Sequence, residues 1–383
     1  MPQPEKTFRK SFGLKGVVQH QLDESYHSPL IDKVRANGFL LKTGRFEIHL
    51  AKEFGFCYGV ERAVEYAYET RARFPAQRIF LTNEIIHNPR VNAELQGMGV
   101  KILTSDASRS EITEKDVVIM PAFGVPVEAL KEFQDKGCVI VDTTCGSVMS
   151  VWRRVESYSA DGFTSVIHGK YDHEETQATC SRAAKYLVVK DQEQAEQVCH
   201  YIAGHGSRDS FLAGFKKACS PGFDPDKDLE KIGFANQTTM LSRESIEISD
   251  MLRDALRTRF GEAGLQERFR HFDTICSATQ DRQDAIRALG EKKMDVILVI
   301  GGYRSSNTGH LVEIASEFCP AFHVEDASSL ISLEKIRHKK TGAQEILETS
   351  GWLPAGAVKV GVTAGASTPN RVVEEVIQRL MEM

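Results

Sequence analysis

A strand pattern followed by a helical pattern recurs along the chain, and each time a cysteine stands between the two. In the segment FEIHLAKEFGFCYGVERAV, apolar residues alternate at Phe46, Ile48 and Leu50, as in a strand with one buried face. A glycine-bearing turn then leads to Cys57, and from Val60 onward the apolar residues recur at helical spacing. The pattern predicts a strand and a helix, joined by a turn that ends in a thiol.

The same arrangement occurs twice more. In GCVIVDTTCGSVMSVWRRV, an apolar strand over 139–141 leads through two threonines to Cys145 and a helical run. In RHFDTICSATQDRQDAIRAL, a short strand is predicted to end at Cys276, before a helix. The first turn of a helix has unpaired N–H groups and a partial positive charge, which stabilise a thiolate. The remaining cysteines lack this context; they are Cys138, Cys180, Cys199, Cys219 and Cys319.

A thiolate at such a position can bind a soft metal. One cysteine alone is more simply a small buried residue, but three repeats of one local context favour a metal site. Three ligands from separated segments do not resemble a structural zinc site, which prefers four ligands, often in close pairs. An iron–sulfur cluster fits better, with a fourth iron left open to act as a Lewis acid on a substrate oxygen.

Other apolar runs end in polar loops, where open α/β folds bind their ligands. These runs are IFLTNEIIHN, SVIHGKYDHEET, IGFANQTT, VILVIGGYRSSN and VKVGVTAGAST. Their polar side chains belong to His87, His168, His173, Glu174, Glu175, Thr238, Thr239, Ser305, Ser306, Asn307, Ser367 and Thr368. Singly, many of these are equally well explained as helix caps or surface residues. As a set, without a Walker lysine, they favour a phosphate or diphosphate held by hydrogen bonds and helix N-termini.

Composition narrows the class of protein. A chain of 383 residues predicts two or three domains. The net charge of -5 does not indicate the basic surface that binds nucleic acid. No apolar run is long enough to span a membrane. The first thirty residues lack the apolar core of a secretory signal, and the eight cysteines include no CxxC pair. We therefore expect a cytoplasmic protein with reduced thiols.

The motifs GFCYGVERAV, NEIIHNP, DTTC, HGKYDHEET, NQTTM, TICSATQDRQDA, SSNT and GVTAGASTP occur in this order over about residues 45 to 380. This combination resembles the 4-hydroxy-3-methylbut-2-enyl diphosphate reductase family, which acts last in the non-mevalonate isoprenoid pathway. The N-terminal extension and PAFG around Phe123 resemble its plant and cyanobacterial branch. The resemblance implies an α/β fold of three small lobes, each a mostly parallel sheet flanked by helices, in a pseudo-three-fold arrangement around a central iron–sulfur cluster. Its implied boundaries are an extension 1–44, then lobes 58–145, 146–275, and 45–57 with 276–383.

The resemblance also implies a reaction. The family removes the hydroxyl of its allylic diphosphate by two-electron, two-proton reduction, which gives isopentenyl and dimethylallyl diphosphates. Cys57, Cys145 and Cys276 match the ligands of a [4Fe–4S] cluster, whose open iron binds the substrate hydroxyl, and ferredoxin or flavodoxin is the expected electron donor. Glu175 matches the acid that delivers protons, and Thr238 the hydroxyl that orients the reacting end. The matches to diphosphate-binding positions are His87, His173, Ser305, Ser306, Asn307 and Ser367.

The chain departs from the family pattern at two positions. Phe123 stands where the commonest bacterial sequences have a histidine that contacts the diphosphate, and Gly146 stands where a proline usually follows the second cysteine. Two other functions remain open. A cluster-containing hydro-lyase would use the open iron without net electron transfer, whereas a redox sensor would need neither the acid nor the anion-binding loops.

Overall fold

The protein is described by a computed structural model that covers residues 6–103, 106–272, 274–343 and 345–383. Numbered in chain order, the strands are β1 Thr7–Phe8, β2 Leu40–Thr43, β3 Phe46–Leu50, β4 Ile79–Leu81, β5 Val100–Ile102, β6 Val117–Met120, β7 Val139–Asp142, β8 Thr164–His168, β9 Tyr186–Val189, β10 Ile232–Asn236, β11 Phe269–His271, β12 Val296–Ile300, β13 Ala321–Val324, β14 Lys335–Lys339, β15 Ile346–Ser350 and β16 Val358–Ala364. The helices are α1 Lys15–Tyr26, α2 Pro29–Ala36, α3 Tyr58–Arg73, α4 Pro89–Gly97, α5 Asp106–Ser110, α6 Val127–Asp135, α7 Gly146–Ala160, α8 Glu174–Cys180, α9 Gln192–Ile202, α10 Arg208–Gly214, α11 Pro225–Asp228, α12 Ser242–Leu265, α13 Ser277–Gly290, α14 Ser306–Ser316 and α15 Asn370–Met381.

In the described part of the chain, these strands form three sheets. The first has the order β1-β7-β6-β4-β5 and the second β11-β10-β8-β9, and both are parallel throughout. The third has the order β15-β14-β13-β12-β16-β3-β2, with a parallel centre and antiparallel strands at both edges. The predicted α/β class, with mostly parallel sheets flanked by helices, is confirmed.

The chain divides into two compact units. The first contains Met1–Ala122, Val139–Thr143 and Ser277–Met383, and therefore the first and third sheets. The second contains Phe123–Cys138 and Thr144–Cys276, and therefore the second sheet. The lobe boundaries implied by the family resemblance stay a prediction.

The hydrophobic pattern explains which strands are central. The segments VVIM of β6 and VILVI of β12 are buried at every position, as expected for parallel strands covered on both faces. In β3, only the alternate residues Phe46, Ile48 and Leu50 are buried, which confirms the predicted one-sided strand. No helix among the described residues combines the length and apolar character needed to cross a membrane.

The predicted junctions between strands and loops are largely confirmed. The polar loops singled out in the sequence follow β4, β8, β10, β12 and β16. The prediction that a strand ends at Cys276 is wrong, because β11 ends at His271. Beyond β11, the contact with β10 is made by a side chain. Thr274 Oγ1 accepts the Asn236 backbone N–H at 3.0 Å and donates to Asn236 Oδ1 at 2.6 Å.

The N-terminal extension is part of the first unit. Strand β1 pairs with β7, and β2 pairs with β3. The carboxylate of Glu69 on α3 is completely buried and accepts hydrogen bonds from the extension. Its donors are the Ser11 hydroxyl at 2.9 Å, the Phe12 N–H at 2.7 Å and the Leu14 N–H at 3.1 Å. Glu69 therefore anchors the extension to the helix that begins after Cys57.

We expect Glu69→Ala to lower the free energy of unfolding by about 2–4 kcal/mol, because it removes a buried, charged acceptor from two partly buried backbone N–H groups and a hydroxyl group. Urea unfolding of the anaerobic protein measures this loss. Glu61→Ala is the matched control, since Glu61 is exposed on the same helix and should change stability little. Equal stability of the two variants would show that the Glu69 anchor is dispensable.

Candidate active site

The residues predicted for the active site fall into two groups, one in each unit. The first unit contains Cys57, His87, Ser305, Ser306, Asn307 and Ser367. The second contains Cys145, His173, Glu175, Thr238 and Cys276.

In the first unit, the loops after β4, β12 and β16 converge on His87. A Cβ atom on Gly302 would lie 2.5 Å from the His87 carbonyl oxygen, so only glycine fits there. The Ser367 hydroxyl donates to the same oxygen at 3.4 Å. The predicted binding residues of these three loops are thus brought together, as expected for the carboxyl ends of neighbouring parallel strands.

The loop after β12 presents polar groups at the start of α14. Ser305 is its N-cap, and the Ser305 Oγ accepts the Thr308 N–H at 3.3 Å, so the helix-cap interpretation is also correct for this residue. Asn307 is only 4% exposed, and its Oδ1 accepts the Ala366 N–H at 3.0 Å. Its Nδ2 is buried and has no hydrogen-bond partner among the described residues. Because buried amide donors are nearly always paired, this one fits a site whose acceptor belongs to a ligand.

His87 is also positioned by a residue to which the sequence analysis assigned no role. The ring is 8% exposed, and its Nδ1 lies 2.9 Å from Glu84 Oε2. The spacing of three residues in NEIIHNP was the available signal, because such a spacing lets side chains within one turn meet.

Cys57 lies beside the same loops. It is the N-cap of α3, and its backbone N–H donates to the Ala366 carbonyl at 3.1 Å. The preceding Gly55 has φ of 82°, a backbone conformation that favours glycine at this turn. Arg282 of α13 donates to the Gly55 carbonyl at 2.6 Å, which joins the helix after Cys276 to the turn before Cys57.

In the second unit, the predicted acid and the predicted hydroxyl are in direct contact. Glu175 and Thr238 are 3% and 5% exposed. The Thr238 backbone N–H donates to Glu175 Oε1 at 2.6 Å, and the Thr238 hydroxyl donates to Oε2 at 3.0 Å. A buried carboxyl group joined to a hydroxyl group provides a short path for a proton.

His173 starts the helix that carries Glu175. It is the N-cap of α8, and its Nδ1 accepts the Glu175 N–H at 3.1 Å. Since Nδ1 accepts, the neutral ring carries its hydrogen on Nε2 and can donate from there. The Phe123 ring packs edge-on against His173, with centroids 6.2 Å apart. Phe123 therefore contacts a predicted diphosphate ligand but supplies no donor of its own.

The cysteines differ in their surroundings. Cys145 is the N-cap of α7, as predicted, and Cys276 directly precedes α13. None of the eight cysteines, all of which lie among the described residues, forms a disulfide, and the three predicted ligands are partly exposed. Burial raises the pKa of Cys180 and of Cys199 to about 12, so these two stay protonated and bind metals poorly. A donor set of three accessible thiols at helix starts fits a thiolate-bound cluster.

Three polar residues from the candidate loops have structural roles instead. His168 is completely buried, with Nδ1 2.7 Å from the Ser245 hydroxyl oxygen. Thr239 accepts a hydrogen bond from the Gln237 side chain, and the Thr368 hydroxyl donates to the Ile300 carbonyl. None of the three was assigned to the site by the family resemblance.

Comparison with known proteins identifies the family. The family model described as LytB protein matches residues 48–381. The chain is 50% identical to 4-hydroxy-3-methylbut-2-enyl diphosphate reductase of Gloeobacter violaceus, over 100% of this chain and 93% of that protein. It is also 50% identical to the enzyme of the same name from a Synechococcus species, over 98% and 95% of the two chains.

Solved structures agree with these relatives. A structure of (E)-4-hydroxy-3-methyl-but-2-enyl diphosphate reductase, the terminal enzyme of the non-mevalonate pathway, is 26% identical, with a TM-score of 0.53 over 88% of this chain and 99% of that one. The Plasmodium falciparum E-1-hydroxy-2-methyl-but-2-enyl-4-diphosphate reductase is 20% identical and shares the fold, with a TM-score of 0.64 over 86% of each chain. The resemblance found in the sequence is confirmed, and the chain belongs to the LytB family, together with the cyanobacterial 4-hydroxy-3-methylbut-2-enyl diphosphate reductases.

Proposed function

We propose that the protein reduces 4-hydroxy-3-methylbut-2-enyl diphosphate to isopentenyl and dimethylallyl diphosphates. The reaction breaks one C–O bond, forms one C–H bond and releases the hydroxyl as water, so it consumes two electrons and two protons. Besides the family relationship, the buried contact between Glu175 and Thr238 is the observation that carries this proposal. A proton-dependent loss of a hydroxyl needs an acid that bulk water does not reach.

In this proposal, side-chain hydrogen-bond donors hold the diphosphate. The buried Asn307 Nδ2 lacks an acceptor within the described part of the protein, and a phosphate oxygen would supply one. Ser305, Ser306 and Ser367 add hydroxyl groups that are at most 8% exposed, and His87 and His173 add ring donors. Binding energy gained at this remote group fixes the allylic carbon for reaction.

Glu175 and Thr238 move the proton. A carboxyl group next to a diphosphate in a water-poor site favours its protonated form, through desolvation and like charge. Once protonated, Glu175 donates to the Thr238 hydroxyl across their 3.0 Å contact, and that hydroxyl passes its own hydrogen to the departing oxygen. The Thr238 backbone N–H keeps the other carboxyl oxygen in place during this exchange.

Cys57, Cys145 and Cys276 are proposed to hold a [4Fe–4S] cluster. When bound, such a cluster supplies electrons one at a time and an iron with an open position for the substrate. The support is chemical, since the three thiols share the start of a helix, where the thiolate form is stabilised. The electrons come from a small redox protein such as ferredoxin or flavodoxin. The cytoplasmic location expected from the sequence stays a prediction.

Substitution of a hydrogen-bond donor of the proposed diphosphate site should weaken substrate binding more than substitution of the apolar residue Phe123. His87→Ala or His173→Ala removes one charge-assisted hydrogen bond and should weaken substrate binding about ten- to a hundredfold. Phe123→Leu exchanges one apolar wall for another and should change the dissociation constant little. Binding is measured on the oxidised protein, because turnover also depends on electron supply. A loss at Phe123→Leu equal to the histidine losses, with intact fold and iron content, would give the ring a role in binding.

One experiment tests the function itself. The protein is purified without oxygen, its iron and sulfide are measured, and the hydroxylated allylic diphosphate is supplied with a reduced electron donor. We expect the two isoprenoid diphosphates and consumption of two electrons per molecule. Formation of a dehydrated or hydrated product without electron uptake would support the hydro-lyase instead. A cluster that changes its redox state without any product would support the sensor.

A further inference from the structure

Glu84 connects two loops of the proposed diphosphate site. Its Oε2 lies 2.9 Å from His87 Nδ1, and its Oε1 lies 3.3 Å from Arg304 Nη1. His87 belongs to the loop after β4 in the first sheet, whereas Arg304 directly precedes Ser305 in the loop after β12 in the third sheet. One carboxylate thus connects loops of two sheets within the first unit, near the point where Gly302 lets its backbone lie close to the His87 carbonyl oxygen.

The contact with Glu84 determines what His87 can do. A carboxylate accepts a hydrogen from Nδ1, so this nitrogen is protonated and the plane of the ring is fixed. A phosphate oxygen would therefore meet Nε2. If that nitrogen also carries a hydrogen, the ring is an imidazolium ion, and the Glu84 carboxylate stabilises it through a charge-assisted hydrogen bond.

Because Glu84 is negatively charged, its effect on diphosphate binding depends on whether His87 is present. A carboxylate close to a diphosphate repels it, and this repulsion is offset only by nearby positive charge. Arg304 supplies that charge on one side of Glu84, and the His87 ring supplies it on the other side when it is protonated. Without the imidazole ring, Glu84 no longer orients a donor toward the site, whereas its repulsion of the diphosphate and its contact with Arg304 remain.

We propose that Glu84 is a positioning residue of the diphosphate site, which orients His87 as a donor and links the His87 loop to the loop that carries Ser305 and Asn307. This inference rests on the proposed function, and it deepens that function by assigning a role to a residue that does not itself touch the substrate. It also predicts a coupling between Glu84 and His87 that a purely structural role would not produce.

The test is a double-mutant cycle on the anaerobic holoprotein, with inorganic diphosphate as the probe. Glu84→Gln keeps the shape of the side chain but removes its charge, and it should weaken diphosphate binding about tenfold. In the His87→Ala background, the same substitution should leave binding unchanged or slightly improve it. Glu291→Gln is the matched control, because it removes an exposed carboxylate just after α13. With substrate, Glu84→Gln should raise KM while kcat at saturation stays near that of the unmodified protein.

The outcomes separate this inference from the proposed function. Diphosphate affinity that Glu84→Gln leaves unchanged, or lowers equally in both backgrounds, would overturn the positioning role, as would failure of the unmodified protein to bind inorganic diphosphate. If the cycle shows the expected coupling but the allylic substrate is not reduced, the anion site stands and the proposed reaction fails.

Discussion

Serine in place of Cys57, Cys145 or Cys276 should leave the purified protein colourless and inactive. A serine hydroxyl is a far weaker ligand for iron than a thiolate, so a cluster fixed by three cysteines loses one of three anchors. Iron and sulfide content, together with the visible absorption of the anaerobic protein, measure the loss. Activity should fall below detection in each variant, which is the largest effect expected from any single substitution described above.

The remaining cysteines provide matched controls for the same chemistry. Serine at Cys138, Cys199 or Cys319 removes a thiol outside the three helix starts and should leave the iron content unchanged. Burial raises the pKa of Cys199 to about 12 and also raises that of Cys319, so neither is readily available as a thiolate. Full iron content in Cys145→Ser would rule out the proposed ligand set.

Glu175→Gln should reduce turnover by at least about a hundredfold while substrate binding persists, which is the usual scale for losing a general acid. The amide can still accept the Thr238 N–H and can donate to the Thr238 hydroxyl oxygen, so the buried contact survives. It has no proton to transfer. Single-turnover measurements with the pre-reduced protein isolate this step from electron supply.

Substitutions of Thr238 test whether its hydroxyl group takes part in the proton transfer. Thr238→Ser retains the hydroxyl and should keep most of the activity, whereas Thr238→Val has a similar shape without a hydroxyl and should lose turnover as Glu175→Gln does. Turnover of Glu175→Gln close to that of the unmodified protein, with an unchanged pH profile, would assign the proton transfer to another acid, with Glu174 the next candidate.

The local sequence pattern was sufficient to predict most strands, the helix starts at the cysteines and the family. The alternation in β3 and the continuous apolar runs of β6 and β12 follow from whether one or both faces of a strand are buried. The positions of Cys57 and Cys145 at helix starts were predictable for the same reason, since a change of hydrophobic period marks the junction. These are properties of neighbouring residues, which the sequence displays directly.

The local pattern predicted the wrong end for the strand before Cys276, because Thr274, beyond β11, is held by a partner far along the chain. Thr274 bonds to Asn236, 38 residues away, and this pairing is invisible to a local pattern. The same holds for Glu69, whose acidic side chain in a helix would ordinarily be assigned to the surface. Its burial depends on donors from Ser11 to Leu14, more than fifty residues earlier.

Residue types and short spacings were therefore enough to predict the class of fold, the candidate ligands and the family. The tertiary structure was needed to distinguish polar groups that are available to a ligand from polar groups that hold the fold together. It distinguished Asn307, whose buried Nδ2 has no hydrogen-bond partner among the described residues, from His168, which is held by Ser245, although both belong to segments in which an apolar strand leads into a polar loop. It also brought Ser367 to His87 across 280 residues and placed Glu84 between two loops. Burial and hydrogen bonding between distant segments decide such roles. A buried polar side chain is shielded from water, so its role depends on which protein or ligand group it can still hydrogen-bond.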